Sequence, residues 1–566
     1  MTIVRGFLFS PRATRIFFAA IVLACCATLV PAQRRERSVT NWRPLHYDVS
    51  LSFNDAMTEI SSARTEVTLR VLKPNVTKID FDFGEMPITS VTVAGKPARY
   101  QRTSNTLDVM LPVAPRNGAE LKITIGYHGR PKDGLILAND GDGKPSATGD
   151  NWPNRVHHWI PTLDHPSAKA AVSFNVTAPS GYQVIANGKL LSLTTVDAPS
   201  PAQQHRELRK FAETKPIPPY CMVVAVNQGA IINSPDKSIT NLFYNVPHRD
   251  AEYAPKGFSP AAPSLAYFSQ TIGPYPYEKL ALIVGATQFG GMENSSAIVF
   301  ASTVFNRNPD EKMSAHFGIP QRIESLVAHE IAHQWFGDSV TQSTWADLWL
   351  SEGFATYFAA LFIEKHDGEE AFREYLRDAA RAYFAYEEKR NAPIHDTETQ
   401  NLMQLLNPNN YEKGAWVLHM LRKQLGDEAF FRGLRNFYNA HREGNATTED
   451  LRAALEKSSG KNLRTFFARW IYGSGHPVYE WSSQAAEMQN GNNSVTIILK
   501  QTQAGAPFSD PVPVTVTSEG KTTSLTLFPK GKVATATLRT GRVPISIQID
   551  PEETLLKEVV SGQMEK

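Results

Sequence analysis

The run His329-Glu330-Ile331-Ala332-His333-Gln334-Trp335-Phe336-Gly337-Asp338, with Glu352 nineteen residues beyond the second histidine, decides how this chain is read. On an α-helix, positions i and i+4 lie one above the other. His329 and His333 can therefore aim two imidazole nitrogens at one metal ion, with Glu330 beside them as a candidate general base. Glu352 adds a third, anionic ligand. Two histidines, one glutamate and an open position form the pattern of a catalytic zinc site rather than a structural one. The plain alternative is a solvated helix that carries two histidines by chance, and the flanking residues argue against it. Pro320 suits a helix start, Ile323, Leu326 and Val327 give an apolar face, and Gly337 suits a C-terminal stop. Trp345 to Tyr357 then reads as a second helix, so rich in large apolar residues that Glu352 is costly there unless paired or metal-bound.

Outward from this centre the chain changes texture twice. From about Trp42 to Thr240 the apolar period is two: Tyr47, Val49, Leu51 and Phe53, then Ile79, Phe81 and Phe83, then Leu121, Ile123 and Ile125. From about Phe243 to Gly473 the pattern is helical, with segments at Glu370–Lys389, Tyr411–Leu425, Asp427–His441 and Asn462–Tyr472. Thr447 and Asp450 have the spacing of a capping box, with Asp in place of the usual Glu or Gln. From about Pro477 the period returns to two, in Val512, Val514 and Val516, Leu525 and Leu527, and Ile545, Ile547 and Ile549. The fold expected is a multidomain α+β chain. Residues 33–240 form an N-terminal antiparallel β domain, 241–475 a mainly helical catalytic domain, and 476–566 a C-terminal β-sandwich. At 566 residues and 42% hydrophobic the chain can bury several cores. Its 58 basic and 56 acidic residues give no charge excess, so nothing points to nucleic acid as a partner.

Residues 1–32 read as a signal peptide. Arg5, Arg12 and Arg15 precede the apolar run Ile16 to Val30, and Val30-Pro31-Ala32 gives a small-residue cleavage pattern before Gln33. The apolar run is short for a membrane span, so the expectation is an exported chain, periplasmic or extracellular, with no span in its mature form; the alternative is an uncleaved run that anchors the chain in a membrane. Cleavage there removes Cys25 and Cys26 and leaves only Cys221, which excludes an internal disulfide.

With Glu352 in its Ser-Glu-Gly-Phe setting, the run from His329 to Thr341 resembles the gluzincin aminopeptidases, the group typified by aminopeptidase N and the leukotriene-epoxide hydrolase. Gly290-Gly291-Met292-Glu293-Asn294 resembles that family's exopeptidase signature, and Tyr411-Glu412-Lys413-Gly414 the segment carrying its catalytic tyrosine. Pro161 to Ala170 echoes a weaker signature in its N-terminal β domain, so the likeness covers about residues 40 to 475. The tail resembles the family's optional β-sandwich, and the resemblance makes the helical domain thermolysin-like. Two departures stand out. Ser351 replaces the usual Asn before the ligand glutamate, and Trp152 stands where many members carry a Gln or Glu that helps bind the substrate amine.

The resemblance implies one zinc ion held by His329, His333 and Glu352, with Glu330 as general base and Tyr411 as oxyanion donor. It implies substrate contacts from Gly290, Gly291, Met292, Glu293 and Asn294, with Glu293 gripping the α-ammonium of peptides that have a free N-terminus. The glycines allow an extended backbone to approach closely. Other readings of the same fold are an epoxide hydrolase, an endopeptidase, or a non-catalytic peptide-binding scaffold. The scaffold reading predicts damage in the metal motif or the tyrosine, and none is damaged. Epoxide hydrolysis calls for basic residues from a C-terminal helical segment that this sequence does not match.

Overall fold

The computed structural model describes residues 33–196, 205–237, 240–305, 317, 322–487, 493–518, 520–540 and 544–565. The expected signal segment, with Cys25 and Cys26, and the expected helix start at Pro320 lie outside the described residues. Among the described residues no helix is long and apolar enough to cross a membrane.

The alternating run that begins the first β region forms strand β1 (Trp42–Phe53), in which Tyr47, Val49, Leu51 and Phe53 are each at most 2% exposed. Strands β2 (Ile60–Val71) and β3 (Glu120–Gly129) follow it antiparallel in an eight-stranded sheet. On the other side of β1 lies β4 (Ala170–Pro179), and this pair is parallel, His46 facing Ala171. The sheet is otherwise antiparallel, so a single crossover enters an architecture that period-two patterning identifies but cannot orient. Two smaller sheets and a core built around Tyr47, Phe81, Trp159 and Phe174 complete this region.

The catalytic region contains a five-stranded mixed sheet that helical patterning concealed. Its strands are β5 (Ala230–Asn233), β6 (Asn241–Val246), β7 (Lys279–Gly285), β8 (Gly291–Met292) and β9 (Ala297–Ala301), in the order β5-β6-β7-β9-β8. β7 is buried on both faces and reads as a continuous apolar run, which periodicity alone cannot tell from a helix. β5 pairs with β6, so this sheet begins before the change of texture near residue 240; sheet membership is fixed by pairing rather than by local pattern. β8 is an edge strand, bonded to β9 on one side only.

Helices α1 (Ile323–Ala332), α2 (Trp349–Asp367), α3 (Glu369–Glu387), α4 (Gly414–Leu425), α5 (Asp427–His441) and α6 (Thr448–Ser459) share one apolar core with Leu280, Leu282, Ile298 and Phe300 on one face of that sheet, while Ala281, Ile283 and Val299 on the other face pack with Trp152, Tyr220 and Val223. The Thr447–Asp450 capping box forms in both directions. Two helix starts are irregular: Trp345–Asp347 is a short 3-10 turn before α2, and Asn409–Lys413 is a π-helical turn before α4. The C-terminal region is two sheets of four and three strands. Their inner residues Val495, Ile497, Val514 and Val516 join the same continuous core as Phe354, Phe358 and Phe437 of the helices. The sandwich is therefore welded to the catalytic region through shared apolar burial.

Candidate active site

α1 and α2 run antiparallel, because the start of α1 meets the end of α2 while the end of α1 meets its start. Arg322 pairs with Asp367 at 3.0 Å, and His333 faces Glu352. Nε2 of His329 and Nε2 of His333 lie 3.0 Å apart, and Glu352 Oε2 is 3.4 Å from the first and 3.3 Å from the second. A tetrahedral zinc with bonds of about 2.0–2.1 Å requires ligand atoms roughly 3.3 Å apart, so the three atoms already span one face of such a site. Among the described residues this is the only such cluster of potential ligands. The His333 ring is oriented from behind. Its Nδ1 lies 3.1 Å from the carbonyl of Phe336, to which it can donate, and 3.1 Å from Ser351 Oγ. That leaves Nε2 with a free lone pair, the arrangement ligating histidines need. Ser351 thus supports a ligand from the position where the family usually places Asn.

Charge in the site fits a cation. Burial opposes a proton on His333, but Glu352 and Glu293 outweigh it and raise its pKa to about 10. Burial works against a charged Glu352 as well, yet the two histidines hold it well below the usual carboxylate range. A buried place that draws positive charge this strongly suits a divalent metal, which takes over the role of that proton when the imidazoles ligate as neutral groups.

Glu330 projects from α1 toward β8 and is 5% exposed. Burial, with Glu293 and Glu352 nearby, raises its pKa well above the ordinary value against the pull of His333. A Cβ on Gly291 would lie 2.3 Å from Glu330 Oε1, so only glycine lets the edge strand run this close to the carboxylate. Tyr411 enters from the π-helical turn, its ring stacked on His329 with centroids 5.9 Å apart and planes 5° from parallel. Burial and the charges of Glu352 and Glu293 hold the hydroxyl as a neutral O–H donor. A second close approach makes this placement possible. A Cβ on Gly353 would lie 2.9 Å from Gly414 Cα, and the reverse holds equally. The glycine after the ligand Glu352 and the glycine ending the Tyr411 motif therefore abut, bringing the two backbones together.

One cavity of about 610 Å³ gathers these groups. Gly290, Gly291, Met292, Glu293, His329, Glu330, His333, Glu352 and Tyr411 all line it. Asn294 does not; it is buried behind the wall, where its amide donates to the Met292 carbonyl at 3.4 Å. Glu293 is 6% exposed, its Oε1 has no hydrogen-bond partner among the described residues, and burial pushes its pKa up to about 7. Trp152 lines the same end of the cavity, edge-on to Phe289 and Trp345 at centroid distances of 6.0 and 5.6 Å.

Sequence reasoning passed over Gln334, which fixes the distance between the edge strand and the metal helix. Its Nε2 donates to the Glu293 carbonyl and to Asp338 Oδ2, each at 2.9 Å. Its Oε1 accepts from the Ser296 N–H at 2.8 Å and from the Tyr275 hydroxyl at 3.2 Å. It is fully buried with its amide satisfied on both sides, so it acts as a rigid spacer. The signal available in the sequence was an amide one residue beyond a metal histidine, in an otherwise apolar stretch.

Comparison with known proteins agrees with this geometry. The family model "Peptidase M1 N-terminal domain" matches residues 43–221, and "Peptidase family M1 domain" matches residues 259–470. Aminopeptidase 2 of Candida albicans is 27% identical over 492 residues, covering 82% of this chain and 50% of the relative. Probable aminopeptidase 2 of Sulfurisphaera tokodaii is 30% identical over 356 residues, covering 60% of this chain and 44% of the relative. The chain thus spans about half the length of such relatives. An M1 zinc metallopeptidase of Deinococcus radiodurans shares the fold with a TM-score of 0.64 at 24% identity, covering 77% of this chain and 95% of that structure. The two family models follow one another in order, the second spans the residues that form the metal centre, and the chain belongs to the M1 peptidase family.

Proposed function

We propose that this chain is an exported zinc aminopeptidase that hydrolyses the first peptide bond of peptides with a free N-terminus. The observation that carries the reading is Glu293: a buried carboxyl with one oxygen unpartnered among the described residues, lining the cavity that holds His329, His333 and Glu352. Such a group is costly until it meets a cation, and a peptide α-ammonium is a cation of the right size. Trp152 offers no charge where a second anchor is expected, so anchoring falls on Glu293.

The residues divide the work as follows. His329, His333 and Glu352 hold zinc, which when bound supplies Lewis-acid polarisation of the scissile carbonyl and lowers the pKa of the attacking water. The free side of β8 pairs with the substrate backbone as an added strand, and Gly290 and Gly291 let it come close. Glu330 accepts the proton of the attacking water and returns one to the leaving amine. Burial raises its pKa, which favours the return of that proton in the second half of the task. The Tyr411 hydroxyl donates to the oxyanion as charge develops.

Aminoacyl reporter amides, free and N-acetylated, with chelator and with zinc restored, test this reading. Free-amine reporters are hydrolysed, the chelator abolishes turnover and zinc restores it. Efficient cleavage of acetylated or internal bonds would replace the aminopeptidase by an endopeptidase. The export proposal rests on the basic, apolar and small-residue order of residues 1–32. N-terminal sequencing of exported protein should return Gln33, and an intact Met1 would overturn it.

A further inference from the structure

The cavity does not end at the metal ligands. One end, walled by Trp152, Phe289 and Met292, lies against Trp345, just before α2 begins. The other end follows α2 past Thr356 to Ile363, eleven residues beyond Glu352 and so about 16 Å along the helix. There it is lined by Arg322 at the start of α1 and by one face of α3. Glu293 sits at the first end, since its carbonyl is tied to Gln334 just past the end of α1. A peptide anchored there by its ammonium, with its first bond over the ligands, sends its second residue into the α3 arm.

That arm has a definite charge. Its only basic residue among the described lining is Arg322, already neutralised by Asp367 at 3.0 Å and Glu324 at 3.6 Å. Asp378 is likewise matched, by Arg381 one turn along α3. Two carboxyls remain. Glu374 on α3 is exposed and makes no ion pair among the described residues. Glu412, the residue after Tyr411, is 4% exposed, lines the cavity, and has an Oε2 without a hydrogen-bond partner among the described residues. Burial raises the Glu412 pKa to about 8 and the charge of Glu352 adds to the effect, so the empty arm carries a standing electrostatic cost that a cation relieves. Ile363, Ala371, Tyr375 and Ala379 supply apolar walls for a long methylene stem.

We propose that this arm reads the second residue of the substrate and selects a lysine or arginine there, its stem along the apolar walls and its charge on Glu412 and Glu374. The inference deepens the aminopeptidase reading and rests on it. It assigns Glu412 and Glu374 as specificity-determining residues on the leaving-group side of the bond.

The test uses the full zinc-loaded chain with tripeptides Ala-Xaa-Ala, where Xaa is Lys, Arg, Leu or Glu, beside an alanine reporter amide. Wild-type kcat/KM is expected to be about ten-fold higher for Lys and Arg than for Leu, the size expected of a charge-assisted hydrogen bond, and lowest for Glu. Glu374→Lys and Glu412→Gln should each pull the Lys-to-Leu ratio toward one. The ratio is measured on one enzyme sample, so a general loss of activity cancels. Glu374 lies on an exposed helix face, so Glu374→Lys carries the test if Glu412→Gln fails to fold. A wild-type ratio at or below one, or a ratio unmoved by Glu374→Lys, overturns the proposal. Hydrolysis of the reporter with a flat tripeptide profile removes this inference alone, whereas no hydrolysis of any substrate removes the aminopeptidase reading with it.

Discussion

Replacing Gly291 by alanine isolates the placement of Glu330. The position has an ordinary backbone conformation, so the substitution brings no φ penalty and acts through space alone. The new Cβ would lie 2.3 Å from Glu330 Oε1, 2.4 Å from Cδ and 2.6 Å from Cγ. Ordinary contacts between such atoms are about 3.5 Å, so one side must give by roughly 1 Å. The strand cannot readily retreat, because Gly291 is paired with Phe300 and Gln334 ties the Glu293 carbonyl to the end of α1. The Glu330 side chain moves instead. A displacement of about 1 Å at a catalytic group costs roughly 100-fold in rate, equivalent to about 2.7 kcal/mol of transition-state stabilisation. None of the three ligand residues is touched, so zinc content and melting temperature should stay near wild type. The assay is kcat/KM on a free alanine reporter, with zinc measured on the same sample. Activity within about three-fold of wild type would refute the assignment of Glu330 as a precisely placed base. Loss of zinc in step with activity would show instead that the strand, and not the carboxylate, had moved.

Three further outcomes are expected. Tyr411→Phe should retain its fold and lower kcat and kcat/KM together by about 100- to 1000-fold with KM little changed, because its donor acts mainly in the transition state; a rise in KM alone would contradict this. Glu293→Ala should weaken hydrolysis of free-amine substrates by about 100-fold or more while leaving zinc bound, and unchanged selectivity against N-acetylated peptides would contradict the anchoring role. Glu213, on the strand Arg206–Ile217, has its pKa pushed up to about 8 by burial and then by the charge of Glu278. Its native form holds a proton that the unfolded chain releases near 4.5, so this group's stabilisation is complete below about 4.5 and is lost as pH rises through about 8. Thermal melts across that window should show a smaller decline for Glu213→Gln than for wild type, and parallel curves would refute it.

The sequence by itself determined whatever is local. The i, i+4 spacing of His329 and His333 is a property of one helix, the capping box at Thr447 spans a single turn, and alternation along Trp42–Phe53 needs only the pleat. The ligand chemistry of a catalytic zinc site added Glu352, and motif likeness added Tyr411 and Glu293 from distant segments. What only tertiary structure decided is the set of relations between segments. The abutment of Gly353 on Gly414 and the bridge from Gln334 to the edge strand have no sequence period, nor does the burial of Asn294 behind the cavity wall. Continuous apolar runs such as Lys279–Gly285 were ambiguous for the same reason. A strand buried on both faces has lost the polar alternation that would distinguish it from a helix. The leaving-group arm makes the point most plainly. Glu374 and Glu412 lie in different elements, each looks like an ordinary charged residue in sequence, and only the packing of α2 and α3 against the Tyr411 turn gives them one cavity.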